Sequence, residues 1–152
     1  MTGPSFRFRL ERVRVIRERK EKLAQRELAV AISRHSSTVA ELRSADAEVA
    51  HARDEQRVAA ARSGSVSAAE LLAHQAFLER TEAQRHQYAS ELEQREAEVA
   101  KRDAALATAA SEHKMLERLS ERRRGEHDRE LARRELGALD EIAAIRFHRS
   151  RA

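Results

Sequence analysis

No globular core can be built around the stretch from Ser67 to about Arg149. Within it, Leu71, Leu78, Leu92, Val99 and Leu106 fall on one seven-residue ladder, with Arg85 as its single polar rung. No proline interrupts the stretch, and Gly125 and Gly137 are its only weak points. Apolar residues kept at this period mark a helix that lies along another helix. A continuous helix of about 80 residues would be roughly 120 Å long at 1.5 Å per residue. What the chain can fold into therefore depends on what covers this helix and where the cover ends.

Composition narrows the choice. With 37% charged and 3% aromatic residues, the chain lacks the aromatic and β-branched side chains that a broad core needs. Its abundance of Ala, Glu, Arg and Leu at a seven-residue period is the composition of long paired helices. Disorder is the competing reading of a chain this charged; the mixed signs and the sustained apolar period weigh against it. There is no cysteine, so there is no disulfide framework or thiol chemistry, which fits the cytosol. No apolar run approaches the ~20 residues of a membrane span, and the start lacks the apolar segment of a signal peptide. The expectation is a soluble protein, at most peripheral to a membrane.

Taken in order, the chain reads as a helical hairpin. Ser5 is an N-cap candidate; Phe6-Arg-Phe-Arg alternates like a strand, but the helical period that follows places the first helix at about 5–62. Phe6, Leu10 and Val13 share a face, and Ile16, Leu23 and Val30 step by sevens. Leu28, Ile32, Val39, Leu42 and Val49 continue in a shifted frame. Such a drift arises where 3.6-residue turns meet a 3.5-residue seam, or at a stutter. The serine-flanked Gly64 signals a turn over about 63–66. Ser67-Ala-Ala-Glu70 then fits a capping box that opens a second helix at about 67–148.

So short a connection makes the helices antiparallel neighbours. A turn centred near Gly64 brings together residues whose numbers sum to about 129. Val30 then faces Val99, Leu23 faces Leu106, Val13 faces Leu116 and Leu10 faces Leu119. The fold class expected is all-α, a long two-helix antiparallel coiled-coil hairpin forming one domain over 1–152. A parallel homodimer of one unbroken helix is the alternative, and the capping box opposes it. Since Phe6 pairs near Arg123, the second helix is longer and overhangs the first by roughly 25 residues. Leu131, Leu136, Leu139, Ile142, Ile145 and Phe147 lie in that overhang, each worth ~1.5–3 kcal/mol if buried. An overhang of this kind calls for a partner.

Charge divides the chain as well. Residues 7–34 hold ten Lys/Arg against four Glu, and residues 41–112 hold nine Lys/Arg against fourteen Asp/Glu. The termini should be basic and the middle acidic. The basic run could track phosphates, but glutamates at 11, 18, 21 and 27 interrupt it. A solvated face with intrahelical ion pairs and a protein-binding face are the other two readings.

Catalytic and metal chemistry find little support. The seven histidines are scattered, with no i,i+4 pair on one face; His35 and His113 sit at seam positions, where polar residues set register. A helical hairpin offers neither a concave pocket nor a phosphate cradle nor a catalytic triad. No enzyme activity, no cofactor, no metal and no small-molecule ligand are expected. Phe77 flanks the seam, while Tyr88 lies in its second track. To this point the residues describe a coiled-coil scaffold or chaperone of any kind.

Several segments carry a resemblance. Phe6-Arg-Phe-Arg-Leu-Glu-Arg-Val, Arg17-Glu-Arg-Lys-Glu-Lys and Gln25-Arg-Glu-Leu-Ala resemble the opening of the flagellar export protein FliJ family. Leu116-Glu-Arg-Leu-Ser-Glu-Arg-Arg-Arg and Arg134-Glu-Leu-Gly-Ala-Leu-Asp-Glu-Ile-Ala, ending in Arg146-Phe147, are similar to its close. His74-Gln-Ala-Phe-Leu looks like the family's opening of the second helix. The resemblance implies a component of the flagellar type III export apparatus, cytoplasmic and peripherally associated with the inner membrane at the flagellar base. The partners it implies are the export ATPase hexamer, which the protein enters as a stalk and stimulates, the cytoplasmic domain of the export gate, and substrate-specific chaperones, with no nucleic acid. Carried over by position, the ATPase-facing residues are Arg9, Arg12, Arg19, Arg26, Arg123, Arg134, Leu139, Ile142, Ile145 and Arg146. The gate-facing residues are Phe77, Thr81, Gln84 and Tyr88; Thr81 and Gln84 stand where the family often has aromatic or aliphatic residues.

Overall fold

The computed structural model describes residues 6–62 and 67–149. Among them are two helices, α1 (Glu11–Ala61) and α2 (Ala68–Arg149), packed against each other, and no strand. Ser5 and the turn expected over 63–66 lie outside the described residues. The chain divides into two compact units. An inner unit comprises Leu23–Leu106; a terminal unit joins the residues up to Lys22 with those from Ala107 onward.

The start of α2 follows the capping box. The Ser67 backbone N–H donates to Glu70 Oε2 at 2.8 Å, and the Glu70 N–H donates to Ser67 Oγ at 3.2 Å. Two N–H groups that the first turn leaves without helical partners are thereby satisfied. The bond from the Ser67 backbone, then that from its hydroxyl, holds the Glu70 carboxyl below the usual carboxylate range. The other end of the connection is plain: α1 closes with the Arg62 N–H on the Ala59 carbonyl at 3.2 Å.

The start of α1 corrects the expectation. The helix begins at Glu11 rather than near Ser5, and residues 6–10 are not helical. Phe6 and Phe8 are half-buried while Arg7 and Arg9 are exposed, so the strand-like alternation governs here. The cause is spacing: side chains two apart lie on one side of an extended chain and on nearly opposite sides of a helix. Phe6 packs at a tilt against His127, with ring centroids 5.6 Å apart and the ring planes at 55°.

In the inner unit the helices meet along an unbroken 3-4 repeat. On α1 one track is Ala31, Thr38, Ala45, Ala52 and Ala59, all buried. The other is Leu28, His35, Leu42, Val49 and Gln56, of which Val49 is buried and the rest half-buried. On α2 the ladder Leu78, Arg85, Leu92, Val99 and Leu106 lies along the seam, and His74, Thr81, Tyr88, Arg95 and Arg102 form its second track. Cross-helix pairs flank it: Asp46–Arg85 at 2.6 Å, Arg53–Glu82 at 2.7 Å, Glu27–Arg102 at 2.7 Å and Gln56–Gln75 at 2.8 Å. Facing residue numbers sum to between 129 and 135, so the expected register holds to within about a turn.

The face of α1 that enters the seam does not hold. Ile16, Leu23 and Val30 are half exposed or more, and Leu10 and Val13 are also exposed, so the buried ladder of α1 is not the expected one. Val30 lines a groove with Arg26, Glu98 and Arg102, whereas Val99 lines a different one with Leu28 and Ile32. The ladder that packs is offset from the expected one by a single residue, about 100° around the helix. Persistence decides between them. Stepping on from Val30 by sevens meets Ser37, Ser44 and His51, while stepping from Ala31 meets small residues as far as Ala59. Small residues on α1 leave room for Tyr88, Arg95 and Arg102 on α2. The frame along the inner seam is continuous, and no stutter is needed.

In the terminal unit the seam is ionic. Arg17 pairs with Glu112, and His113 Nδ1 lies 2.7 Å from Glu21 Oε2, with Glu117 at 3.6 Å from Nε2. His113 holds the seam position expected of it, with its side chain 12% exposed. Half-buried Leu116 and Leu119 supply the apolar part. The termini are therefore joined by fewer apolar groups than the inner unit.

Candidate interaction surface

The terminal unit carries 19 Lys/Arg against 12 Asp/Glu, the inner unit 11 against 14. Nine of the ten residues carried over as ATPase-facing belong to the terminal unit; Arg26 belongs to the inner one. All ten are exposed. They are not in one state of charge pairing. Arg123 pairs with Glu126 at 3.2 Å and Arg134 with Glu130 at 3.1 Å, both along α2. Arg12, Arg19 and Arg26 have no carboxylate partner among the described residues.

Within this unit α2 loses its cover at Leu131. Leu131 is half-buried, and every residue from Ala132 to Arg149 is exposed. The uncovered stretch is thus shorter than the 25 residues expected. The non-helical segment before α1 places Phe6 against His127. Leu131, Leu139, Ile142 and Ile145 share one stripe about 120° wide, the geometry of a face made for packing. Nothing packs on it among the described residues, and Leu139 is 62% exposed. Leu136 and Phe147 lie to one side of the stripe, and Arg146 lies within it.

The gate-facing set lies in the inner unit and does not form one surface. Thr81 is 4% exposed, part of the helix seam, and its hydroxyl donates to the Leu78 carbonyl at 2.9 Å. It presents nothing to a partner, which corrects its place in the set. Tyr88 is half-buried in the same track, with its hydroxyl 3.4 Å from Gln84 Nε2. Phe77 and Gln84 are exposed, and the Arg80 guanidinium lies 5.7 Å from the centre of the Phe77 ring. The spacing 77, 81, 84, 88 straddles the seam edge, so two of the four side chains turn inward.

Sequence reading missed one surface. The period places Ile16 in the seam and Val13 opposite Leu116. Val13 and Ile16 are in fact on the outer side of α1, beside Arg12, Arg19 and Lys20. The signal was present in the shorter run of the Ile16 ladder.

Among the described residues no group of side chains could hold a metal ion, and no helix is long and apolar enough to cross a membrane. A family model described as the flagellar FliJ protein matches residues 6–152. No curated protein and no solved structure matches the chain.

Proposed function

The chain belongs to the FliJ family, a component of the flagellar export apparatus, and from that premise we propose that it acts as a non-enzymatic stalk of the export ATPase. In this reading the terminal unit enters the ATPase ring and stimulates hydrolysis. The inner unit reaches the cytoplasmic domain of the export gate, and the hairpin escorts substrate chaperones at the cytoplasmic side of the flagellar base.

The observation that carries the proposal is the bare apolar stripe of α2. Leu136, Leu139, Ile142 and Ile145 are all exposed, on a stretch of helix that no other element covers among the described residues. Apolar stripes of this kind mark sites of protein association. The basic balance of the same unit favours an acidic lining in the partner and speeds encounter with it. Mixing the purified chain with the flagellar export ATPase is expected to give a complex and a raised rate of ATP hydrolysis. No complex and an unchanged rate would remove the stalk role.

The gate-binding part rests on the exposed Phe77 and Gln84 with the half-buried Tyr88 beside them, since Thr81 is inside the seam. Phe77→Ala combined with Tyr88→Ala is expected to weaken gate binding and motility. Unaltered binding in the double variant would take this face out of the proposal.

A further inference from the structure

Burial is divided unequally along the chain. Among the described residues every buried side chain, from Ala31 to Thr81, belongs to the inner unit, and the terminal unit has none. The reason lies on α1. Between Glu11 and Lys22 its half-buried residues are Arg14, Val15, Arg17, Glu18 and Glu21, so four of the five bring a charge to the helix contact. The apolar Val13 and Ile16 of the same turns are exposed. On α2 the covered side carries His113, Leu116, Ser120 and His127, all half-buried. Two ring nitrogens there, His113 Nε2 and His127 Nδ1, are buried without a hydrogen-bond partner. Each such group weighs against the closed arrangement, because water would satisfy it on opening.

We propose that residues 6–22 form a releasable strap on α2, one that opens while the helices of the inner unit stay paired. Its anchors are weak by chemistry. The Arg17–Glu112 pair is open to solvent, so it contributes little, and less in salt. Further anchors are the Glu21–His113 contact at 2.7 Å and the tilted contact of Phe6 with His127. Regions held by few buried apolar contacts open locally, well below the free energy of global unfolding. Opening has a definite product. At about 100° per residue, His113, Leu116 and His127 lie within about 80° of Leu131, Ile142 and Ile145 around α2. Release of the strap therefore extends the bare stripe of α2 back as far as His113. The opening needs no partner, and it holds whether or not the stalk proposal does.

Hydrogen–deuterium exchange of the full chain tests the opening. Amides of 11–22 are expected to exchange at least about tenfold faster than those of 31–59, with a step near Lys22 and a further rise in salt. Simple fraying would instead give a gradual slope that salt does not move. Thiol labelling reads the other side of the contact. The chain has no cysteine, so Ser120→Cys can be labelled alone by a maleimide. Thr38→Cys, at a position 2% exposed, reports the inner seam in the same way. Replacing a polar contact by an apolar one, with Glu21→Leu and His113→Leu together, should close the strap. Exchange in 11–22 and labelling of Ser120→Cys are then both expected to slow by about fivefold or more, with Thr38→Cys unchanged. If that pair lowers the thermal melt, Arg17→Leu with Glu112→Leu takes its place. Protection in 11–22 equal to that of the inner unit, a gradual slope indifferent to salt, or labelling unmoved by the closing pair would each overturn the inference. So would an equal effect of that pair on Thr38→Cys, since the two units would then be opening together.

Discussion

Ending the chain at Arg134 is expected to abolish stimulation of the export ATPase and to leave the helix pair folded. The residues removed are all exposed among those described, so the cut takes nothing from the seam in either unit. It does take the exposed Leu136, Leu139, Ile142 and Ile145 from the end of α2. Each large apolar group buried against a partner contributes about 1.5–3 kcal/mol before the costs of association. Losing even about 3 kcal/mol of that sum weakens a complex more than a hundredfold. Circular dichroism should show a melting temperature within a few degrees of the full chain. The hydrolysis assay should show the basal ATPase rate. Full stimulation by the truncated chain would mean that the α2 end is not what engages the ring.

That experiment depends on a boundary which sequence placed only approximately. The overhang follows from helix lengths and one turn position, and those were readable from Gly64 and the Ser67–Glu70 capping box. Its starting point was not, because it depends on the backbone state of five residues. Phe6-Arg-Phe-Arg alternates, and two alternations in a helical context are weak evidence for extended chain. What goes with the non-helical start is the tilted contact of Phe6 with His127, across more than a hundred residues of sequence. No local pattern reports it.

The seam was half legible, for a different reason. On α2 the ladder from Leu78 to Leu106 consists of large residues with one arginine, and it lies where its period puts it. On α1 two ladders run one residue apart, and the larger side chains belong to the wrong one. Reading by hydrophobicity favours Ile16, Leu23 and Val30 over Ala24, Ala31 and Thr38. Packing favours small residues wherever the facing helix brings a tyrosine or an arginine to the seam. The consequence ran on into the candidate surfaces. Placing Ile16 in the seam takes an aliphatic group away from the outer face, and the gate-facing set includes Thr81 although its track is the same as that of Tyr88.

The two faces of α1 are separated by one pair of substitutions. Ala52→Glu is expected to cost about 3 kcal/mol or more, since Ala52 is 2% exposed and the seam there has no cation assigned to it. A domain of this kind is stable by only ~5–15 kcal/mol, so the urea midpoint should fall steeply. Leu23→Ser bears on the other ladder. Were Leu23 in the seam, its truncation would cost about 2–5 kcal/mol by loss of burial and by the cavity left behind. At 56% exposed it should instead stay within about 0.5 kcal/mol of the unmodified chain. A large loss at Leu23 with little effect at Ala52 would return the apolar ladder to the seam. It would also take away the outer face, because Ile16 lies on the same seven-residue step. Equilibrium unfolding of these two variants therefore decides both how α1 packs and which of its side chains stay outside the seam.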